Sequence, residues 1–189
     1  MAGSRPDRRV QRTHRALQDA LASLIVECGW DAVSVQDICD RADIGRSTFY
    51  KHFSGKEALL VSALDNSRRE IRARQSMDES RKNDPLPFAY GMLEHVYERQ
   101  QVFRAIGKRS GYVVQRYVRE LVVRMVKEDL AALAPSGWQL EATTHYVAGA
   151  FVELLTWWID GRRQQKPADI EMLFEQLTRS VIERLRATK

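Results

Sequence analysis

The sequence predicts an all-α chain in two helical units, and three observations carry that prediction. The five prolines, at positions 6, 85, 87, 135 and 167, all fall where periodic segments begin or end. No stretch alternates apolar and polar residues for long enough to compete as a strand. Apolar residues instead recur three and four apart, the spacing that gives a helix one core-facing side. At 189 residues the chain suits one large domain or two small ones, and it can bury enough surface to fold without staples.

The elements follow in order. Leu17, Ala20, Leu21, Leu24, Ile25 and Cys28 form the stripe of a first helix, which Gly29 stops. A short second helix places Val35, Ile38, Cys39 and Ala42 on one face, with Ser34 as N-cap and Asp37 near its positive end. Residues 42–45 break the chain, and a third short helix runs from Arg46 to Phe53 with Phe49 and Phe53 pointing inward. Ser54 and Glu57 read as a capping box opening a fourth helix, seated by Leu59, Leu60, Ala63 and Leu64. After a polar segment, Ser76 to Asp84, helices are expected over 86–99, 100–108, 112–133, 140–160 and 168–187, about nine in all. Pro167 fits the first turn of the last one. The boundary is placed at residues 1–55 and 56–189.

Composition narrows the function. Charged residues make up 29% and apolar residues 44%, ordinary values for a globular protein. Cys28 and Cys39 cannot build a disulfide framework and read as core thiols rather than a redox pair. The longest apolar tract, Tyr146 to Ile159, is 14 residues and holds Glu153, too short to span a membrane. The charged N-terminus lacks the apolar core of a signal peptide, so a cytoplasmic address is expected. No His-Glu-x-x-His, Gly-x-Ser-x-Gly or phosphate-loop spacing appears, and the four histidines are scattered, which disfavours an enzyme. Glu141 and His145, four apart, make an incomplete metal site, so no metal and no cofactor are expected.

Two short helices joined by a tight break follow the helix-turn-helix plan. The second must keep one side apolar and offer the other to a major groove. Here Phe49 and Phe53 anchor it, leaving Ser47, Thr48, Tyr50, Lys51 and His52 to face outward. From Arg46 to Lys56 there are three basic residues and no acid, which suits a surface meeting phosphates. Ser34 and Lys56 stand at helix starts, where backbone N–H groups favour a phosphate. Upstream, residues 1–15 hold five arginines against Asp7 alone, a net +4 arm able to reach DNA. The whole chain is +5, yet its first 60 residues hold nine Lys and Arg against eight Asp and Glu. Placement of charge, not its total, points to double-stranded DNA.

The run from Ser34 to Ala42, then Ile44-Gly45-Arg46-Ser47-Thr48-Phe49-Tyr50-Lys51-His52-Phe53, then Lys56-Glu57-Ala58-Leu59-Leu60, resembles the DNA-binding domain of tetracycline-repressor-type (TetR/AcrR) transcriptional regulators. The resemblance covers roughly residues 10–65. Asp43 stands where the family usually has Gly, and Gly45 where it usually has a Ser cap; both residues tolerate the geometry required. The tract Tyr146 to Ile159, with Trp157 and Trp158, is similar to a subgroup named for a dihydroxyacetone kinase regulator.

The resemblance implies a ligand-responsive regulator, a repressor in most members, binding a near-palindromic operator as a homodimer. An activator of the same fold, or a helical enzyme or interaction protein, is the alternative. It implies DNA contacts at Ser47, Thr48, Tyr50, Lys51, His52 and Lys56, with Thr48 and Lys51 at base edges and Tyr50, His52 and Lys56 at phosphates; Ser34, at its helix start, and basic Arg46 join them on the reading of the residues themselves. It implies a larger C-terminal domain that binds an unknown small-molecule effector, for which Met92, Phe103, Tyr112, Tyr146 and Trp157 are candidate lining. The dimer face would lie on the last two helices, where Leu173, Leu177, Val181 and Leu185 form a stripe. Eight basic residues against Glu120 between Arg99 and Lys127 read as solvated helix sides or as attraction for an anion.

Overall fold

The computed structural model describes residues 8–77, 84–109, 111–133, 136–161 and 164–187. Among these, all regular structure is helical: α1 Arg8–Cys28, α2 Val35–Ala42, α3 Arg46–His52, α4 Lys56–Met77, α5 Phe88–Glu98, α6 Gln100–Arg109, α7 Gly111–Leu130, α8 Trp138–Asp160 and α9 Pro167–Ala187. The last five helices end within three residues of the expected bounds.

Two ends differ. α1 begins at Arg8, so Arg8, Arg9, Arg12 and Arg15 ride on a helix instead of a free arm, and Arg5 lies outside the described residues. The reason is local: Val10 and His14 extend the Leu17–Leu21 stripe at i, i+4 spacing with no Gly or Pro to interrupt it. α4 opens at Lys56, with Gly55 before it accepting the Leu59 N–H at 3.2 Å. Ser54 is therefore one residue too early, and the Ser54–Glu57 box does not form.

The helix-turn-helix is fixed by its termini. Gly29, at φ 81°, closes α1 in the left-handed region open to glycine. Ser34 and Asp37 make a complete capping box: the Asp37 N–H donates to Ser34 Oγ at 3.2 Å and the Ser34 N–H to Asp37 Oδ2 at 2.8 Å. Asp43 takes the left-handed conformation at φ 53°, ψ 46°, and its N–H closes α2 on the Asp40 carbonyl at 3.3 Å. Gly45 caps α3 without a side chain. Arg41 of α2 forms a fork with Glu27 of α1, both bonds at 2.7 Å, and also donates to Ser23.

Two cores result. The first joins Leu17, Leu21, Leu24 and Ile25 to Trp30, Ile38, Phe49 and Phe53, and recruits Leu59 and Leu60 from α4 with Ala105 and Val114 from α6 and α7. The second fills the bundle of α4, α5 and α7–α9. At its centre Phe88, Phe151 and Phe174 meet edge-on, with ring centroids 4.8 Å apart for the first two and 5.1 Å for the last two. Gly91 lets α5 press on α4: a Cβ there would meet Ile71 Cγ2 at 2.9 Å. Asp129 of α7 is buried, receives Arg72 of α4 at 2.6 Å and accepts the Phe88 N–H at 3.1 Å. It thus caps α5 from another helix.

Candidate nucleic-acid interface

α3 is seven residues long, and its orientation is set by two rings. Phe49 is fully buried and Phe53 nearly so, their centroids 5.8 Å apart. Arg46, Ser47, Tyr50 and Lys51 are exposed. At about 100° per residue these four share one arc of roughly 140°. Thr48 and His52 lie beyond its edge and are half-buried. The Arg46 guanidinium sits 5.8 Å from the Tyr50 ring, which steers both along the exposed side.

The remaining expected contacts are differently placed. The ring of His52 lies edge-on to His14 of α1 at 4.9 Å, and His14 also packs on Phe53 at 4.8 Å. Ser34 is exposed, but its hydroxyl and N–H are both engaged with Asp37. Those bonds hold the Asp37 carboxyl below its ordinary range, so an anion stands at that helix start. Lys56 turns inward: its Nζ donates to the carbonyls of Trp30 at 2.9 Å and Val33 at 2.8 Å, and lies 4.7 Å from the Trp30 ring centroid. One ammonium N–H remains for another partner.

Comparison with known proteins fits this frame. The family model described as bacterial regulatory proteins, tetR family, matches residues 17–63. A model described as a transcriptional regulator C-terminal region matches residues 83–180, more than half of the chain. The chain belongs to the tetR family of bacterial regulators.

Relatives within and around this family share parts of the chain. The HTH-type transcriptional repressor KstR of Mycobacterium tuberculosis is 33% identical over 92 residues, 47% of this chain and 41% of KstR. Matches to two uncharacterized HTH-type regulators of Bacillus subtilis span only 17% and 32% of those proteins, so the chain covers well under two thirds of these relatives. A TetR transcriptional regulator of Streptococcus agalactiae has the same fold: TM-score 0.64, 22% identity, 90% of this chain and 96% of that one. The dihydroxyacetone kinase operon activator DhaS shares it with TM-score 0.58 and 18% identity over 93% and 97% of the two chains.

The tetR-family C-terminal region is where the expected pocket residues disperse. Met92 is buried in the second core beside Phe88 and belongs to packing. Tyr112, Tyr146 and Trp157 are 77%, 60% and 44% exposed. The cause on α8 is periodicity: Tyr146, Ala150, Glu153 and Trp157 recur on one side, while Val147, Phe151, Leu155 and Trp158 occupy the other. The two adjacent tryptophans therefore part company. Trp158 is buried, stacks on Tyr97 at 5.9 Å and donates its Nε1 to Gln165 O at 3.1 Å. Phe103 lines a cleft of about 890 Å³ between α1 and α4–α6, and the other four candidates do not line that cleft.

Three of the eight basic residues of the stretch 99–127 are engaged between helices. Arg99 reaches Glu70 at 3.4 Å, Arg124 reaches Asp65 at 3.2 Å, and Arg104 donates to Ile159 O at 3.0 Å. On the expected dimer stripe, Leu173, Leu177 and Val181 are open to different degrees, whereas Leu185 is buried. Among the described residues no helix is long and apolar enough to cross a membrane. The carboxylates of Asp84, Glu171 and Glu175 lie within 4.8 Å of one another, a cluster that no local motif signals.

Proposed function

We propose that the chain is a DNA-binding transcriptional repressor, acting as a homodimer on a near-palindromic operator and released by a small-molecule effector. One observation carries this reading: α3 holds Phe49 and Phe53 in the core and presents Arg46, Ser47, Tyr50 and Lys51 on an exposed face free of acids. On a helix-turn-helix frame such a face enters the major groove. Lys51 and Thr48 are assigned to base edges, and Arg46, Ser47 and Tyr50 to the DNA backbone beside them. His52 and Lys56 are assigned to phosphate, through the ring edge and the N–H that their internal contacts leave; Ser34 is assigned there too, by exchanging its hydroxyl's bond to Asp37 for one to the phosphate.

Dimerisation is assigned to α8 and α9. On α9, Leu177 is 64% exposed and Leu173 37%, and together with Val181 they offer an apolar strip that water disfavours, while Trp157 of α8 is 44% exposed. The domain division is taken as 1–55 and 56–189, with the first turns of α4 shared. The name of KstR is that of a repressor and the name of DhaS that of an activator; the sequence relationship favours the first sense for this chain. An effector acts by binding the released arrangement of the two heads better than the bound one.

Selection from random duplex DNA tests the reading. It should return an inverted repeat whose half-sites are about 34–36 Å apart or a multiple of it. Recovery of no enriched sequence, or of a single unrepeated half-site, would count against a dimeric operator binder.

A further inference from the structure

We propose that the cleft between α1 and the wall formed by α4, α5 and α6 is the effector site, that it takes an organic anion with an apolar body, and that His14 passes its occupancy to the recognition helix. This deepens the regulatory reading above and rests on it.

Space comes first. The interior of the C-terminal bundle is filled by Phe88, Phe151, Phe174 and their neighbours. The cleft offers about 890 Å³, within the range of small-molecule sites. Its walls join the head to the body: α1 forms one side, and α4 with the start of α6 forms the other.

Its chemistry is two-sided. Leu21, Ile25, Leu60, Leu64, Val102 and Phe103 give it an apolar surface. Three guanidinium groups, of Arg15, Arg69 and Arg99, and two carboxylates, of Asp19 and Glu70, line it as well. Arg99 is engaged with Glu70 at 3.4 Å and with His95 Nδ1 at 2.7 Å. Arg69 donates to Asn66 through one nitrogen. Arg15 makes no ion pair or hydrogen bond among the described residues. With Glu70 taken by Arg99, Arg15 and the rest of Arg69 face Asp19 alone, an excess of donors suited to a carboxylate or sulfonate.

His14 connects the cleft to the DNA-binding face. Its ring lines the cleft and touches both His52 and Phe53 at the end of α3. Its Nε2 is buried with no hydrogen-bond partner among the described residues. An unsatisfied buried nitrogen is costly and favours any rearrangement that supplies a partner. A ligand that displaces or pairs with this ring moves the seat of His52, and with it the last turn of α3.

The probes are 8-anilinonaphthalene-1-sulfonate, an apolar anion whose fluorescence reports burial, then decanoate and neutral decanol as competitors, with operator affinity measured in parallel. The wild type should bind the sulfonate saturably. Decanoate should displace it at least tenfold better than decanol and weaken operator binding at least tenfold. Ala63→Trp, which fills the cleft from α4, should bind operator as the wild type does, yet lose probe affinity and release at least tenfold. Ala22→Leu, on the α1 wall, gives the same test should the tryptophan variant fail to fold. Unchanged probe affinity in a folded cleft-filled variant overturns the site. Equal potency of decanol overturns the anion class, and decanoate binding without any change in operator affinity overturns the coupling. Absence of DNA binding in the wild type at low salt would overturn the regulatory reading, and the probe arm would still decide the site.

Discussion

Lys56 lies over the indole of Trp30, its Nζ 4.7 Å from the ring centroid, while donating to the carbonyl of the same residue at 2.9 Å. With the second bond to Val33 O, the start of α4 is tied to the loop between α1 and α2. Without Lys56 the Val33 carbonyl would lose its partner near the core and the Trp30 carbonyl would keep only the Val33 N–H, at 3.2 Å, in a loop whose Trp30 and Val33 are buried.

Lys56→Met should therefore destabilise the head, by about 1–3 kcal/mol for the loss of hydrogen bonds to a charged group. Urea unfolding followed by tryptophan fluorescence reads this directly. The salt dependence of DNA binding separates the second role. If the remaining N–H also meets a phosphate, the slope of log K against log salt falls by about 0.9 in the variant; an unchanged slope with reduced stability assigns Lys56 to the fold alone.

Arg72→Met should cost about 2–4 kcal/mol. Burial already pushes Asp129 up to about 6 although Arg72 stands beside it, so removing the guanidinium leaves a buried carboxyl without its main counter-charge. The Phe88 N–H would remain as its partner, and α5 would loosen from α7 if that bond failed as well. A loss below about 0.5 kcal/mol in denaturant unfolding would show that the pair contributes little.

His95 makes stability fall in acid. Burial, then the nearby Arg99 and Arg74, push it down to about 4 from an ordinary value of 6.5. The unfolded chain thus binds the proton more readily than the folded one between those values, and stability is lost as pH falls from about 6.5 toward 4. Protonation would also end its acceptance of the Arg99 N–H. Between pH 7 and 5 this is worth about 2 kcal/mol, or roughly 4–8 °C in Tm. His95→Gln should lose that much less than the wild type over the same interval. Parallel pH profiles of the two proteins would contradict the assignment.

Leu177→Glu places a charge on the exposed strip of α9. Sedimentation at micromolar concentration should show the variant shifted toward monomer with helicity unchanged. An identical sedimentation coefficient would move the dimer contact elsewhere.

Much of this was legible from the residues because the signals were local. Proline positions and 3.6-residue periodicity placed the helices, and the alternation of Phe49 and Phe53 with Tyr50 and Lys51 placed the exposed face of α3. Asp43 in the left-handed turn followed from the short polar side chains that tolerate it. What escaped depends on distant partners. Periodicity shows that Tyr146 and Trp157 share a side of α8, but not which side meets a neighbour. The inward turn of Lys56 needs a loop 26 residues upstream, and the cleft needs α1 beside α6. The first turns of α1 were missed for another reason: a cluster of arginines reads as a polar arm, although arginine is a strong helix former and Val10 and His14 supply the apolar side.

The central claim is that the exposed face of α3 reads DNA. Fluorescence anisotropy of the selected operator, titrated at fixed salt with wild type and Lys51→Ala, tests it most directly. Helicity and Tm should be unchanged, with a loss of operator affinity of about tenfold or more, larger for operator than for random duplex. Equal affinity of the two proteins for the operator would contradict it.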